Sequence, residues 1–173
     1  MSGHSKWSQI KHKKGISDQK KGQLFSKLAK KISIAAREGA DPSANYKLQS
    51  VIEEARTFNM PKENIERAIR RASEKDAAML SEVIIQAMGP GGVAVVIEGI
   101  TDNKNRTINE IKHILAQNEF KMVPENSLNW MFSTDWMPHA PLEAEQAAQE
   151  KLDKLLEELD NNDDVENIYT NLK

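Results

Sequence analysis

Val83-Ile84-Ile85-Gln86-Ala87-Met88, then Gly89-Pro90-Gly91-Gly92, then Val93-Ala94-Val95-Val96-Ile97-Glu98 is the stretch on which the fold turns. Two β-rich runs flank a four-residue Gly/Pro loop, which reads as a hairpin. The sequence before it has a helical period, and the sequence after it mixes strand and helix. The chain is therefore α+β. A glycine-rich loop also raises the idea of a phosphate cradle. Such a cradle needs Lys-Ser or Lys-Thr and then a helix. Here a strand follows, so the loop is read as a turn. Both runs are apolar on both faces, so a face left bare by helices should seek a partner or the N-terminal helices.

Working back from the hairpin, three amphipathic segments are expected. A pattern beginning at Ser17 or Asp18 carries Leu24, Leu28, Ile32 and Ala35 at helical spacing and stops at Gly39. A second helix over 44–58 has Leu48, Val51, Ile52 and Ala55 as its stripe. Asn59-Met60-Pro61 ends it, because a residue before proline avoids the helical region. Pro61 then opens a third helix, whose core side is Ile65, Ala68, Ile69 and Ala72. Glu63/Arg67 and Glu66/Arg70 stand four apart in the favourable order. Residues 1–16 have no clean period and read as an extended basic arm.

Working forward, Thr101-Asp102-Asn103 supplies caps for a helix over 104–118 with Ile108, Ile111, Ile114 and Leu115 inward. A third strand is expected over Ser127–Phe132, with Leu128, Trp130 and Phe132 on one face. A long acidic helix over 142–160 has Ala148, Leu152, Leu155 and Leu159 as its seam, and Val165–Thr170 is a last strand. The expectation is a basic arm plus three-helix bundle over 1–77. A small α/β domain over 78–173 follows, ordered β-β-α-β-α-β, with a mainly antiparallel sheet of about four strands and two helices.

The formal net charge of −2 conceals an asymmetry. Residues 1–75 sum to +9 and residues 76–173 to −11. Within 1–31 there are nine lysines and one acid, Asp18. A basic half joined to an acidic half suggests a module that binds a polyanion, since like charge so concentrated repels itself until a partner relieves it. The longest unbroken apolar run is Val93–Ile97, so no transmembrane helix is expected. No apolar stretch follows the basic N-terminus, so no secretory signal is expected. Cysteine is absent, which removes disulfides, cysteine-ligated metals and cysteine nucleophiles, and fits a reducing cytoplasm.

Candidate chemistry is sparse outside the cations. His4, His12, His113 and His139 are the only imidazoles; His4 and His12 lie in the arm, where a metal would be repelled, and neither has a carboxylate cluster nearby. Glu157, Glu158, Asp160, Asp163, Asp164 and Glu166 read as a solvated helix end and turn. They lack the glycine and spacing of a calcium loop. No nucleophile elbow or dinucleotide fingerprint is present. No catalytic residue, metal, cofactor or small-molecule substrate is expected. The candidate nucleic-acid residues are Lys6, Trp7, Lys11, His12, Lys13, Lys14, Lys20, Lys21 and Lys27, with Arg67, Arg70 and Arg71 of the third helix. Lysines neutralise phosphates, and Trp7 either stacks on a base or packs over the bundle. Arg67 and Arg70 either join that surface or are held by Glu63 and Glu66. Such a surface gives affinity more than sequence selection.

The run Ser2-Gly3-His4-Ser5-Lys6-Trp7-Ser8-Gln9-Ile10-Lys11-His12-Lys13-Lys14 resembles the opening of the YebC/PmpR-like family, relatives of the mitochondrial translational activator of cytochrome oxidase. So do Ala35–Gly39, Asn59–Ile69, Gly89–Ala94 followed by Thr101–Thr107, and the ending Asp163–Asn171. Together these cover nearly the whole chain. The match begins at residue 2, so no mitochondrial presequence is expected. Family members usually carry a further α/β domain where this chain has only Ser133-Thr134-Asp135-Trp136. The resemblance thus implies a short form lacking the third domain. It also implies a cytoplasmic, non-enzymatic regulator of gene expression: a probable transcriptional regulator that binds DNA or, alternatively, a ribosome-associated translation factor that binds ribosomal RNA. A protein-interaction module using the acidic helix and the bare sheet face is a further alternative.

Overall fold

The computed structural model describes residues 18–72 and 80–173. The expected arm over 1–16, Ser17 and Lys75 fall outside what is described, and Asp18 is the first residue of the first helix rather than its cap. The chain divides into two compact units, one mainly helical and one built on a sheet.

In the helical unit, α1 (Asp18–Ala35) runs into a short 3-10 turn at Ala36–Glu38. Helix α2 spans Tyr46–Thr57 and α3 spans Lys62–Arg71. Leu28, Ile32, Leu48, Ala55, Ile65 and Ala68 are buried together, so the 3.6-residue stripes meet as expected. Two polar bonds fix the helices beyond this apolar contact. Ser33 Oγ on α1 donates to the Ala68 carbonyl on α3 at 2.8 Å. Lys31 Nζ on α1 meets Glu54 on α2 at 3.1 Å. The elbow into α2 depends on Asn45. Its Oδ1 accepts from Leu48 N–H at 3.0 Å, and its Nδ2 donates to the carbonyls of Ala35 and Gly39, each at 2.8 Å. One buried side chain therefore caps α2 and closes the end of α1.

The second unit has strands β1 (Ser81–Met88), β2 (Ala94–Thr101), β3 (Lys121–Val123) and β4 (Val165–Thr170), in spatial order β3-β1-β2-β4. Pairing is antiparallel, with Gln86 opposite Val123 and Ile97 opposite Ile168. The register of β2 on β4 shifts between Glu98 and Gly99. There a Cβ on residue 99 would lie 2.6 Å from the Asp164 carbonyl oxygen, so only glycine admits the bulge. A Cβ on Gly89 would lie only 2.3 Å from Phe120 Cε1, so the hairpin loop has a packing reason for that glycine.

Helices α4 (Lys104–Gln117) and α5 (Gln146–Asp160) cover one face of the sheet. Val83, Ile85, Val95 and Ile97 pack there against Ile111, Leu115, Leu152 and Leu155. The opposite face is not bare. Ala94 and Val96 lie under Leu128 and Phe132, with Met88, Val123, Trp136 and Tyr169 around them. The chain thus covers both apolar faces of β2 itself, so no bare face is left there, whereas Ile84 on β1 remains 43% exposed.

The strand expected at Ser127–Phe132 is overturned. The third strand is Lys121–Val123, and Asn129–Met131 form a 3-10 turn. Leu128 and Phe132 are buried, but Trp130 is 75% exposed. Two anchors four residues apart, with the residue midway between them facing out, are a turn laid on the sheet rather than a strand within it. Gln86 fixes that turn from beneath. Its Oε1 accepts from Leu128 N–H at 2.9 Å, and its Nε2 donates to Asn129 Oδ1 at 2.8 Å.

Candidate nucleic-acid interface

Lys6, Trp7, Lys11, His12, Lys13 and Lys14 lie outside the described residues. Of the remaining candidates, Lys20 and Lys21 are exposed in the first turn of α1. Lys27 is not: it is only 4% exposed, so its ammonium is withdrawn from the surface. Lys31, one turn on, is occupied by Glu54. The cations of α1 therefore divide in two, with surface charge at the start and structural charge further along.

On α3, Arg67, Arg70 and Arg71 are all exposed. Burial of Ile65 and Ala68 fixes this, because 67, 70 and 71 then fall on the outer side of the same helix. Arg70 and Arg71 occupy the last turn, where the helix dipole favours cations. Among the described residues, the expected Glu63–Arg67 pair does not form. Arg67 Nη2 donates to Asn64 Oδ1 at 2.5 Å, and Glu66 meets Lys62 at 3.6 Å. Arg67 thus stays on the surface, oriented by a neutral amide that leaves its charge uncompensated.

The acidic tail differs from expectation. Asp164 is 5% exposed and accepts from Arg106 Nη2 at 2.8 Å and Thr107 Oγ1 at 2.7 Å. Glu158 is half-buried and accepts from Asn118 Nδ2 at 2.6 Å, and Glu166 is buried. Asp164 therefore ties the turn before β4 to α4, and Glu158 ties α5 to the end of α4, whereas Glu157 and Asp163 are exposed as expected. Counting charge could not reveal this. The signal available was Arg106-Thr107 at the start of one helix and Asp163-Asp164 at the close of another.

A second polar centre was missed. Glu98 on β2 accepts from Trp136 Nε1 at 2.7 Å, Asn167 Nδ2 at 3.0 Å and Tyr169 Oη at 3.1 Å. Three donors converge on one half-buried carboxylate, one on Oε1 and two on Oε2, which makes it a fastening between β2, β4 and the segment after β3. Among the described residues no group of three or more His, Asp or Glu side chains could hold a metal. No described helix is long and apolar enough to cross a membrane.

A cation-bearing helical bundle followed by an antiparallel sheet with two helices on one face places the chain in the class of two-unit α+β proteins. Within that class it belongs to the TACO1/YebC family. The family's N-terminal domain model matches residues 5–75. The model of its second and third domains matches in two stretches, 80–135 and 133–172. A probable transcriptional regulatory protein of Chlorobium chlorochromatii is 44% identical over 98% of this chain and 69% of its own length. One from Caldanaerobacter subterraneus is 52% identical over 76% of this chain and 55% of its own length. The crystal structure of a conserved hypothetical protein from Aquifex aeolicus superposes with a TM-score of 0.86 at 28% identity, covering 98% of this chain and 97% of that one. The family is one of regulatory proteins.

Proposed function

We propose that this chain is a non-enzymatic, cytoplasmic regulator of gene expression that binds DNA through its basic N-terminal arm and helical domain. The observation that carries the reading is the set of nine lysines against one acid in residues 1–31, with Lys20, Lys21, Arg67, Arg70 and Arg71 exposed on α1 and α3. In this reading residues 1–77 form the binding module and residues 78–173 a second domain, in a short form of the family without its third domain. The names of the relatives support transcription as the process.

The contacts are with phosphates, so affinity should fall with salt by a slope of about 0.9 log units per duplex phosphate neutralised. Fluorescence anisotropy on a random duplex across a salt series tests this, with the intact chain beside a K11E/K13E/K14E variant of equal helicity. Steep salt dependence, abolished in the variant, supports the reading. A flat titration overturns it.

The absence of a base-reading motif in the sequence favours a second reading, in which the same cations dock on folded ribosomal RNA by shape. Co-sedimentation with ribosomes, abolished at high salt, together with no preference for promoter over random duplex, would select it.

A further inference from the structure

Helices α2 and α3 are joined by the turn Phe58–Pro61, and the join is fixed from within. Met60 is buried in the helical core and donates its N–H to the Ala55 carbonyl at 3.0 Å. Asn59 donates its N–H to the Arg56 carbonyl at 2.9 Å and takes the left-handed backbone conformation, with φ at 58°. A helix, a tight turn and a second helix whose outer side faces solvent is the arrangement by which many proteins lay a helix in the major groove of DNA.

The outer side of α3 has the composition of a surface that reads base edges. With Ile65 and Ala68 turned to the core, Glu63, Arg67, Arg70 and Arg71 share one exposed strip. All nine cations of residues 1–31 are lysines, whereas four of the five between residues 56 and 71 are arginines. A lysine is a point charge that suits a phosphate. A guanidinium is a planar fork that fits paired acceptors, such as the N7 and O6 edge of guanine. Arginine forks also meet phosphates, so the acid on the strip decides between the two. Glu63, one turn before Arg67, would repel a phosphate, but in the groove a carboxylate accepts from the amino group of cytosine. Arg67 is held in place as well. Asn64 Oδ1 accepts from its Nη2 at 2.5 Å, which engages one arm of the fork and brings no negative charge.

We propose that α3 is the base-reading helix of this unit, laid in the major groove of duplex DNA, with Arg67 as its contact to guanine and Asn64 as the residue that positions Arg67. The proposal rests on the reading that the helical unit binds DNA. To the affinity that the lysines supply it adds a selection among sequences.

The test measures the full chain by fluorescence anisotropy on a guanine-rich duplex and on the same duplex with 7-deazaguanine in place of guanine. That replacement keeps the phosphates and the base pairing and removes the N7 acceptor. The wild-type chain should bind the substituted duplex about tenfold more weakly. Arg67→Lys keeps the charge, so it should keep the salt slope and bind the two duplexes alike. Asn64→Ala should lower the discrimination and leave the salt slope intact, with the helicity of both variants checked by circular dichroism. Equal wild-type affinity for the two duplexes overturns the proposal and leaves the phosphate-binding reading standing. Undiminished discrimination in Arg67→Lys or in Asn64→Ala overturns it too. A wild-type chain that binds neither duplex overturns the DNA reading as well.

Discussion

Trp136 donates its indole N–H to the Glu98 carboxylate at 2.7 Å across 38 residues of sequence. This bond fastens the segment after β3 to the face of β2 that the helices do not cover, beside Phe132 and Tyr169, which meet the indole edge-on and tilted. Substituting Trp136→Phe keeps a ring in place and removes the donor. Glu98 then keeps Asn167 and Tyr169 as donors. The expected cost is about 1–3 kcal/mol, read as a lower midpoint in urea with an unchanged slope. An unchanged midpoint would show that the indole N–H bonds water equally well.

The bond between Asp164 and Arg106 predicts a second effect. Asp164 is buried whereas the Arg106 side chain is 45% exposed, so without the carboxylate the arginine can turn to water while the buried Thr107 hydroxyl loses its bond to Asp164 Oδ2. Asp164→Ala should destabilise by about 1–3 kcal/mol, and Arg106→Ala by less. Thermal unfolding of the two variants tests the order. Equal destabilisation would show that the charge pair dominates over the hydroxyl bond.

The cations of α1 should separate by function. Lys20→Glu with Lys21→Glu should weaken binding to nucleic acid and flatten its salt dependence, by about 0.9 log units of slope for each duplex phosphate no longer neutralised. Lys27→Ala should leave the slope intact and alter unfolding, because its side chain sits inside the unit. Anisotropy and circular dichroism on the same samples distinguish these outcomes, and a salt slope changed by Lys27→Ala would reverse the assignment.

Asp41 provides a pH signature. The hydrogen bond from the Ser43 hydroxyl, and then that from its backbone N–H, hold the carboxyl below its ordinary value of 3.8. A folded value below the unfolded one means that the contribution to stability is present above the unfolded value. It disappears as pH falls through the folded one. Carboxyl-carbon NMR should therefore show Asp41 titrating at lower pH than an unfolded aspartate, and Ser43→Ala should return it upward. An Asp41 titration unmoved by Ser43→Ala would exclude the bond in solution.

Much of the fold was legible because its patterns were long. The stripes of α1, α2 and α3 appear where Leu28, Ile32, Leu48 and Ile65 put them, and the hairpin around Gly89–Gly92 is where glycine and proline mark it. β3 was hidden because three residues, Lys121–Val123, are too short to show a period. Leu128, Trp130 and Phe132 then imitated a strand by alternating. The better clue was Gln86, a polar residue within an apolar strand, which needed partners that only a turn above it could supply. At the candidate site, residue types identify the cations but not their depth. Lys20 and Lys27 are equally charged, and only the packing of α1 separates them.

The position of β2 has a consequence for the order of synthesis. Ala94 N–H donates to Asn171 Oδ1 at 2.8 Å, a bond spanning 77 residues, and β4 completes the sheet through residues 165–170. The core of the helical unit is built from side chains within residues 18–72, and domains fold as units while the chain emerges. It can therefore form early. The sheet unit has to wait, with Val93–Ile97 lacking one edge, until residues 165–171 have been made. During that interval the nascent chain presents its most apolar strand, and slowing translation through residues 100–160 should lengthen the time for which that strand is open to mispairing.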